Sequence, residues 1–402
     1  MEALATGIDN LMTPAVLVAI LIGSVGGLAI GAVPGIGPAI AIAILLPATV
    51  FLDDLVSLVL LLGVYGSSMY GGAIPAILIN TPGTPVNALT TYDGYGMTRQ
   101  GQAARALSLA YSASFFGGCF SILIGLGALM LFGPYLRDLG ALFGQRDIFM
   151  AAALGAVLLI AAHRKTMGLA ALLFAIGFLI ALVGRQGLRG IDRYTFGIPE
   201  LAAGFNLIVV IVGIFAISQA LFLLTGKDAD PPEARIKGGL LRGFGELRKH
   251  PIVATISATY GTIMGIIPGV GEFVAQFFSY ATARGLSKYP SKFGHGAPDG
   301  LIASETANNA VPAAAMLPLL ALGVPGEALT AMMMVVFFDA GIKPGPDIFE
   351  TNSDFLFSLF IALLIINVLV VLTLLVSTRA ITRIIYVPNR LLGAFILILA
   401  FV

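Results

Sequence analysis

The chain has 402 residues, 58% of them hydrophobic and only 11% charged, with a formal net charge of +1 and no tryptophan. Its mean hydropathy of +0.98 is that of a polytopic membrane protein, and the balanced charge excludes nucleic acid as a partner, because tracking phosphates requires a concentrated basic surface. A single cysteine, Cys119, excludes an intrachain disulfide, and His163, His250 and His295 lack metal-ligand spacing.

About 20 apolar residues span a bilayer, and residues 14–33 supply a first span without the basic flank of a secretory signal. That run ends at Gly31-Ala-Val-Pro-Gly-Ile-Gly-Pro38, a helix-breaking stretch, and resumes as a shorter apolar piece at 36–51. Asp53 and Asp54 mark an interface, and 55–79 runs apolar as far as Asn80-Thr-Pro-Gly-Thr-Pro85. Residues 87–105 are too polar to face lipid. Further apolar segments are predicted at 106–134, 148–162, 166–184 and 203–225.

The hydrophilic stretch 226–250 carries Lys227, Arg235, Lys237, Arg242, Arg248 and Lys249 against Asp228, Asp230, Glu233 and Glu246. By the positive-inside rule it is a cytoplasmic linker, dividing a first membrane repeat (1–225) from a second (251–402). The second half reads as apolar 252–267, a break, apolar 273–284, a polar connector 285–309, apolar 310–337 and 355–376, and a last piece from 391. Counterparts of 166–184 and 203–225 are missing, so this repeat is expected to be incomplete at its C-terminus.

The repeat rests on particular residues. Gly265-Ile-Ile-Pro-Gly-Val-Gly-Glu272 copies the first break, and Gly27, Gly31 and Gly35 recur as Gly261, Gly265 and Gly269. Pro75 and Pro82-Gly83 recur as Pro318 and Pro325-Gly326. Unwound backbone at membrane depth is tolerated only inside protein or along a wet cavity, and matching breaks in two halves mark a transporter binding site. The expected fold is therefore an all-α polytopic integral membrane protein with two internal repeats, broken helices or re-entrant hairpins, and an inverted relation between the halves.

At each break the helix ends expose N–H groups suited to an anion. The candidates for binding a carboxylate are Gly35, Gly37, Asn80, Thr81, Pro82, Gly83, Thr84, Pro85, Gly269, Gly271, Pro325 and Gly326, joined by Asn308 and Asn309 in the 303–310 stretch. Close packing alone accounts for Gly23, Gly27 and Gly31; helix capping is the plainer reading of one Asn, less so of a pair. The acids Glu272, Glu305 and Glu327 would repel a carboxylate and suit a coupling cation, Na⁺ or H⁺. Na⁺ is favoured because the first-half counterpart of Glu327 is Thr84, which cannot titrate near neutral pH.

Residues 31–49, 69–85, 93–107, 265–272, 303–310, 317–326 and 341–346 together resemble the large membrane subunit of the tripartite tricarboxylate transporter family. Gly96 and Ser304 stand where that family usually has proline. The resemblance implies a multi-pass protein of the bacterial inner membrane that carries organic carboxylates on an ion gradient, without a cofactor. It also implies two partners, a small membrane subunit and a periplasmic solute-binding protein. A stand-alone permease or channel is the rival within transport. An intramembrane enzyme would need a convergent acid–base or metal set, and no His or Cys cluster offers one.

Overall fold

The computed structural model describes residues 2–33, 36–142, 166–186, 191–226, 239–383 and 387–401, with scattered positions between 146 and 160. Gly35, most of the 148–162 segment and residues 227–238 of the linker lie outside the described residues.

The described residues are predominantly helical. Helix α1 (Glu2–Leu11) precedes α2 (Pro14–Gly31), whose start is set by Pro14 and by Thr13, the Oγ1 of which accepts the Val16 amide at 3.4 Å. After the first break come α3 (Pro38–Thr49) and α4 (Asp54–Ile79), then α5 (Ala88–Arg99) and the long α6 (Ala103–Leu142). Helix α7 (Met167–Ala181) is followed by a short antiparallel hairpin, Gly184–Gln186 with Ile191–Arg193, and by α8 (Leu207–Thr225), which has a π turn over Val212–Ile217.

The linker contributes the short α9 (Arg242–Leu247). The second half holds α10 (Pro251–Ile266), α11 (Gly271–Leu286), α12 (Pro298–Leu322), α13 (Ala328–Asp339), α14 (Ser353–Ile381) and α15 (Asn389–Ala400). Helices α2, α4, α8, α14 and the 103–131 part of α6 are long and apolar enough to cross a membrane. The protein is thus an all-α polytopic membrane protein.

One expectation needs correction. Residues 303–310 belong to no connector: α12 begins at Pro298, and Ala303 to Ala310 are buried in its interior. Charge and amide groups there suggested a loop, but α12 is enclosed by α5, α6, α10 and α11, where its polar side chains meet protein rather than lipid.

Glycine sets how closely the helices pack. Gly23, Gly27 and Gly31 lie flat on α4; a Cβ on Gly27 would come within 2.0 Å of Ser67 Oγ, and one on Gly31 within 2.3 Å of the Ser68 carbonyl. Helix α10 meets α12 in the same manner, with Gly261 so close that a Cβ would lie 2.3 Å from the Ala307 carbonyl. Such contacts replace the hydrophobic driving force that lipid does not provide.

Helices α4 and α12 also end alike. Each carries a proline five residues before a left-handed C-cap, Pro75 before Asn80 (φ 57°) and Pro318 before Gly323 (φ 67°). Elements then pair across the halves: α13 packs on α3 and α4, and α5 packs on α12.

Candidate functional site

The breaks of each half abut one another. In the first half, Gly37 lies beside Thr84 and Pro85, where a Cβ on it would sit 3.4 Å from Pro85 Cδ. Gly83 is pressed against Gly31 and Gly72, and its amide donates to the Gly72 carbonyl at 3.1 Å. In the second half the Gly269 amide donates to the Gly326 carbonyl at 2.8 Å, while a Cβ on Gly271 would sit 3.5 Å from Glu327 Oε2.

These bonds change the inventory of donors. The amides of Thr81, Gly83 and Gly269 are already paired, with Pro75, Gly72 and Gly326 respectively. Free amides were expected at all of them. Asn80 is exposed in its left-handed cap, Pro82 and Pro325 are half-buried, and Thr84 is buried with its hydroxyl donating to Asn87 Oδ1 at 2.5 Å.

Side chains link the halves. Glu305, fully buried on α12, accepts from Asn87 Nδ2 at 3.3 Å, from the Thr90 hydroxyl, and from Ser114 Oγ at 2.9 Å. Every one of these donors is neutral, and they come from the turn after the Asn80–Pro85 loop, from α5 and from α6. Asn309 is held one turn later by Nδ2 donating to the Glu305 carbonyl at 3.0 Å. Its neighbour Asn308 is completely buried with neither amide atom bonded. In the other direction, Tyr65 on α4 donates to Glu272 Oε1 at 3.1 Å.

A small cavity lies beside this set, lined in part by Tyr70, Gly118, Asn309, Pro312 and Asn367. The Tyr70 hydroxyl donates to Asn367 Oδ1, and Asn367 Nδ2 reaches the Phe115 carbonyl and Cys119 Sγ, each at 3.2 Å. Below it Asp93 on α5 occupies a nest of backbone amides ahead of α12. Its Oδ1 accepts from Gly294 (2.9 Å), Gly296 (2.9 Å) and Ala297 (2.7 Å), and its Oδ2 from the Tyr280 hydroxyl at 2.8 Å.

Sequence reasoning gave no site role to Tyr65, Tyr70, Asn87, Thr90, Asp93, Ser114, Gln276 or Asn367. The signal was present for Ser114, Gln276 and Asn367, which interrupt apolar helices. Asn87, Thr90 and Asp93 were hidden in a stretch whose polarity resembles an ordinary loop.

Helices broken at glycine and proline, abutting in pairs beside buried neutral donors and buried carboxylates, are an arrangement suited to a membrane transporter. The chain belongs to the Tripartite tricarboxylate transporter TctA family, whose model matches residues 17–402. It is 33% identical over 399 residues to an uncharacterized 52.8 kDa protein of the TAR-I ttuC' 3' region of Agrobacterium vitis, covering 99% of this chain and 78% of that protein. An uncharacterized protein of the TAR-II ttuC' 3' region of the same organism is 35% identical over 140 residues, 35% of this chain and 58% of the relative. No solved structure matches the chain.

Proposed function

We propose that this protein is the membrane-embedded pathway for uptake of an organic di- or tricarboxylate across the bacterial inner membrane. It works with a small membrane subunit and a periplasmic solute-binding protein, and entry is coupled to a cation gradient. Family membership supports the large-subunit role and, through it, the two partners.

The observation that carries the substrate class is Asn308. A fully buried side-chain amide with neither its N–H nor its carbonyl engaged costs about 1–3 kcal/mol, and such a group in a native protein calls for a partner. Its two N–H donors suit a carboxylate oxygen. The neighbouring charges in α12 and α11 are acids, so recognition rests on neutral donors and on a co-transported cation that offsets the anion's charge. Gly37, Thr84, Asn308 and Asn309 form the ligand-facing set, with Asn80 to Gly83, Pro85, Gly269, Gly271, Pro325 and Gly326 shaping the backbone around it. A repeat organisation of 1–225 and 251–402 about the 226–250 linker, read from the sequence, would set such a site between the halves.

The test is uptake into vesicles that contain the large and small subunits, with the binding protein added outside and a panel of radiolabelled di- and tricarboxylates. Accumulation that requires the binding protein and falls at least several-fold in Asn308→Ala supports the reading. Accumulation without the binding protein would instead establish a stand-alone permease.

A further inference from the structure

Two interior carboxamides are left over by the protein. Gln276 on α11 and Asn308 on α12 are completely buried, and neither the amide nitrogen nor the carbonyl oxygen of either has a partner in the protein. The acids one turn earlier on the same helices are engaged elsewhere: Glu272 takes the Tyr65 hydroxyl, and Glu305 takes Asn87, Thr90 and Ser114.

Packing sets the two carboxamides on one side of the same helix pair. Ser279 Oγ donates to the Ala303 carbonyl at 2.9 Å, and one turn away Ala275 shares an apolar cluster with Ala307, so α11 and α12 run antiparallel. Gln276 and Asn308 each follow one of these alanines by one residue, a rotation of about 100° round the helix. In an antiparallel pair the two rotations lead to the same side of the contact. That side faces α5, because Tyr280, which follows Ser279 by the same step, donates to Asp93 Oδ2 at 2.8 Å.

Helix α5 is in turn antiparallel to α12. Asp93 meets the amides of Gly296 and Ala297 just ahead of α12, whereas Thr90 and Asn87 meet Glu305 inside it. Thr84 and Pro85, which precede Asn87, therefore come level with Asn308, and the Pro85–Asn87 turn packs on both α11 and α12. The carboxamides thus face the first-half breaks, where Gly37 lies beside Thr84 and Pro85.

Each carboxamide offers N–H donors and a carbonyl acceptor. A carboxylate alone would satisfy the donors and leave the carbonyls unpaired, and a bare cation would do the reverse. A hydroxyl beside a carboxylate answers both kinds, since its O–H donates while the carboxylate oxygens accept. We propose that Gln276 and Asn308 form one subsite that reads a hydroxyl next to a carboxylate, so that the ligand carried is a hydroxycarboxylate. The assignment rests on the transport reading above.

The experiment measures equilibrium binding to the purified large and small subunits with two ligand pairs that differ by one hydroxyl, malate with succinate and citrate with tricarballylate. Uptake of the same four compounds is followed in vesicles supplied with the binding protein. Wild type should prefer the hydroxylated member of at least one pair by roughly tenfold or more, because the analogue without the hydroxyl leaves a buried acceptor unpaired. Gln276→Met and Asn308→Leu should each shrink that preference at least severalfold. Neither should lower the Tm in detergent, since each removes a buried amide that has no protein partner. Equal binding of both members by wild type, with uptake present, would overturn the subsite whatever the variants do and leave the transport reading standing. A preference retained in both variants, with a lowered Tm, would make the carboxamides structural and overturn it too. Hydroxyl-selective binding that both variants lose, in vesicles that take up none of the four, would uphold the subsite and overturn the transport reading. Neither binding nor uptake of any of them would overturn both.

Discussion

The Gly269 amide donates to the Gly326 carbonyl at 2.8 Å, so two breaks more than fifty residues apart in the chain are joined backbone to backbone. The first half joins its own breaks through side chains and close contact, Gly37 against Thr84 and Pro85, while Gly83 is bonded back to Gly72. At each break the backbone is tied to a neighbouring segment by a hydrogen bond or by close contact.

Gly83 should therefore tolerate no side chain at all. A Cβ there would come within 2.1 Å of the Gly31 carbonyl and 2.7 Å of Gly72 Cα, and neither backbone can yield without unpacking α2 from α4. Gly83→Ala is expected to reduce uptake to near background. Gly26→Ala, where nothing lies within 4 Å, is expected to leave uptake unchanged and to stabilise α2 by about 0.5–1 kcal/mol. Uptake normalised to membrane-inserted protein checks the pair.

Asp93 is expected to be a structural anchor. Asp93→Ala strips the acceptor from the amides of Gly294, Gly296 and Ala297 and from the Tyr280 hydroxyl. Charge-assisted bonds contribute about 1.5–3 kcal/mol each, so the variant should lose several kcal/mol and show a clearly lower Tm in detergent. Asp93→Asn, which keeps an acceptor oxygen, should fall between it and wild type.

The contact between His250 and Asp299 should make stability depend on pH. Nδ1 lies 2.5 Å from Asp299 Oδ1, and that hydrogen bond, aided by the carboxylate's charge, raises the His250 pKa above its ordinary 6.5. A raised folded-state value means that the contribution is fully present below about 6.5 and is lost as pH rises through the higher folded value. The Tm advantage of wild type over His250→Gln should thus be largest in mildly acidic buffer and shrink in alkaline buffer. An advantage that grows with pH would contradict this assignment.

The linker should face the cytoplasm. Arg105 at the start of α6 clasps Glu246 of α9 with Nε 3.1 Å from Oε1 and 3.0 Å from Oε2, and Ser108 Oγ accepts the Gly243 amide at 2.6 Å. In a Cys119→Ser background, Lys249→Cys is expected to resist an impermeant thiol reagent in intact cells and to react in inverted vesicles. Glu246→Gln should cost no more than about 1 kcal/mol, the usual contribution of an exposed ion pair, and the loss should shrink in high salt.

How much of this was legible in the residues varies with the kind of force involved. Apolar length foretold α2, α4, α6, α8 and α14 as spanning helices, because burial in lipid is a local property of a segment. Pro-Gly placed the breaks, since missing N–H groups and a permissive backbone act on the chain around them. The interior of α12 was not legible. Its Ser304, Glu305, Asn308 and Asn309 are polar enough to suggest a loop, and only the enclosing helices make them the centre of the protein.

The sequence by itself therefore determined that this is a membrane protein of broken helices, because composition and backbone chemistry are carried by each residue. Only the tertiary structure decided which breaks touch and which donors surround Glu305. It also decided that Thr81, Gly83 and Gly269 spend their amides on the protein itself. Those outcomes depend on how closely glycine-lined helices approach one another, and such distances arise from packing across the whole bundle rather than from any one stretch of chain.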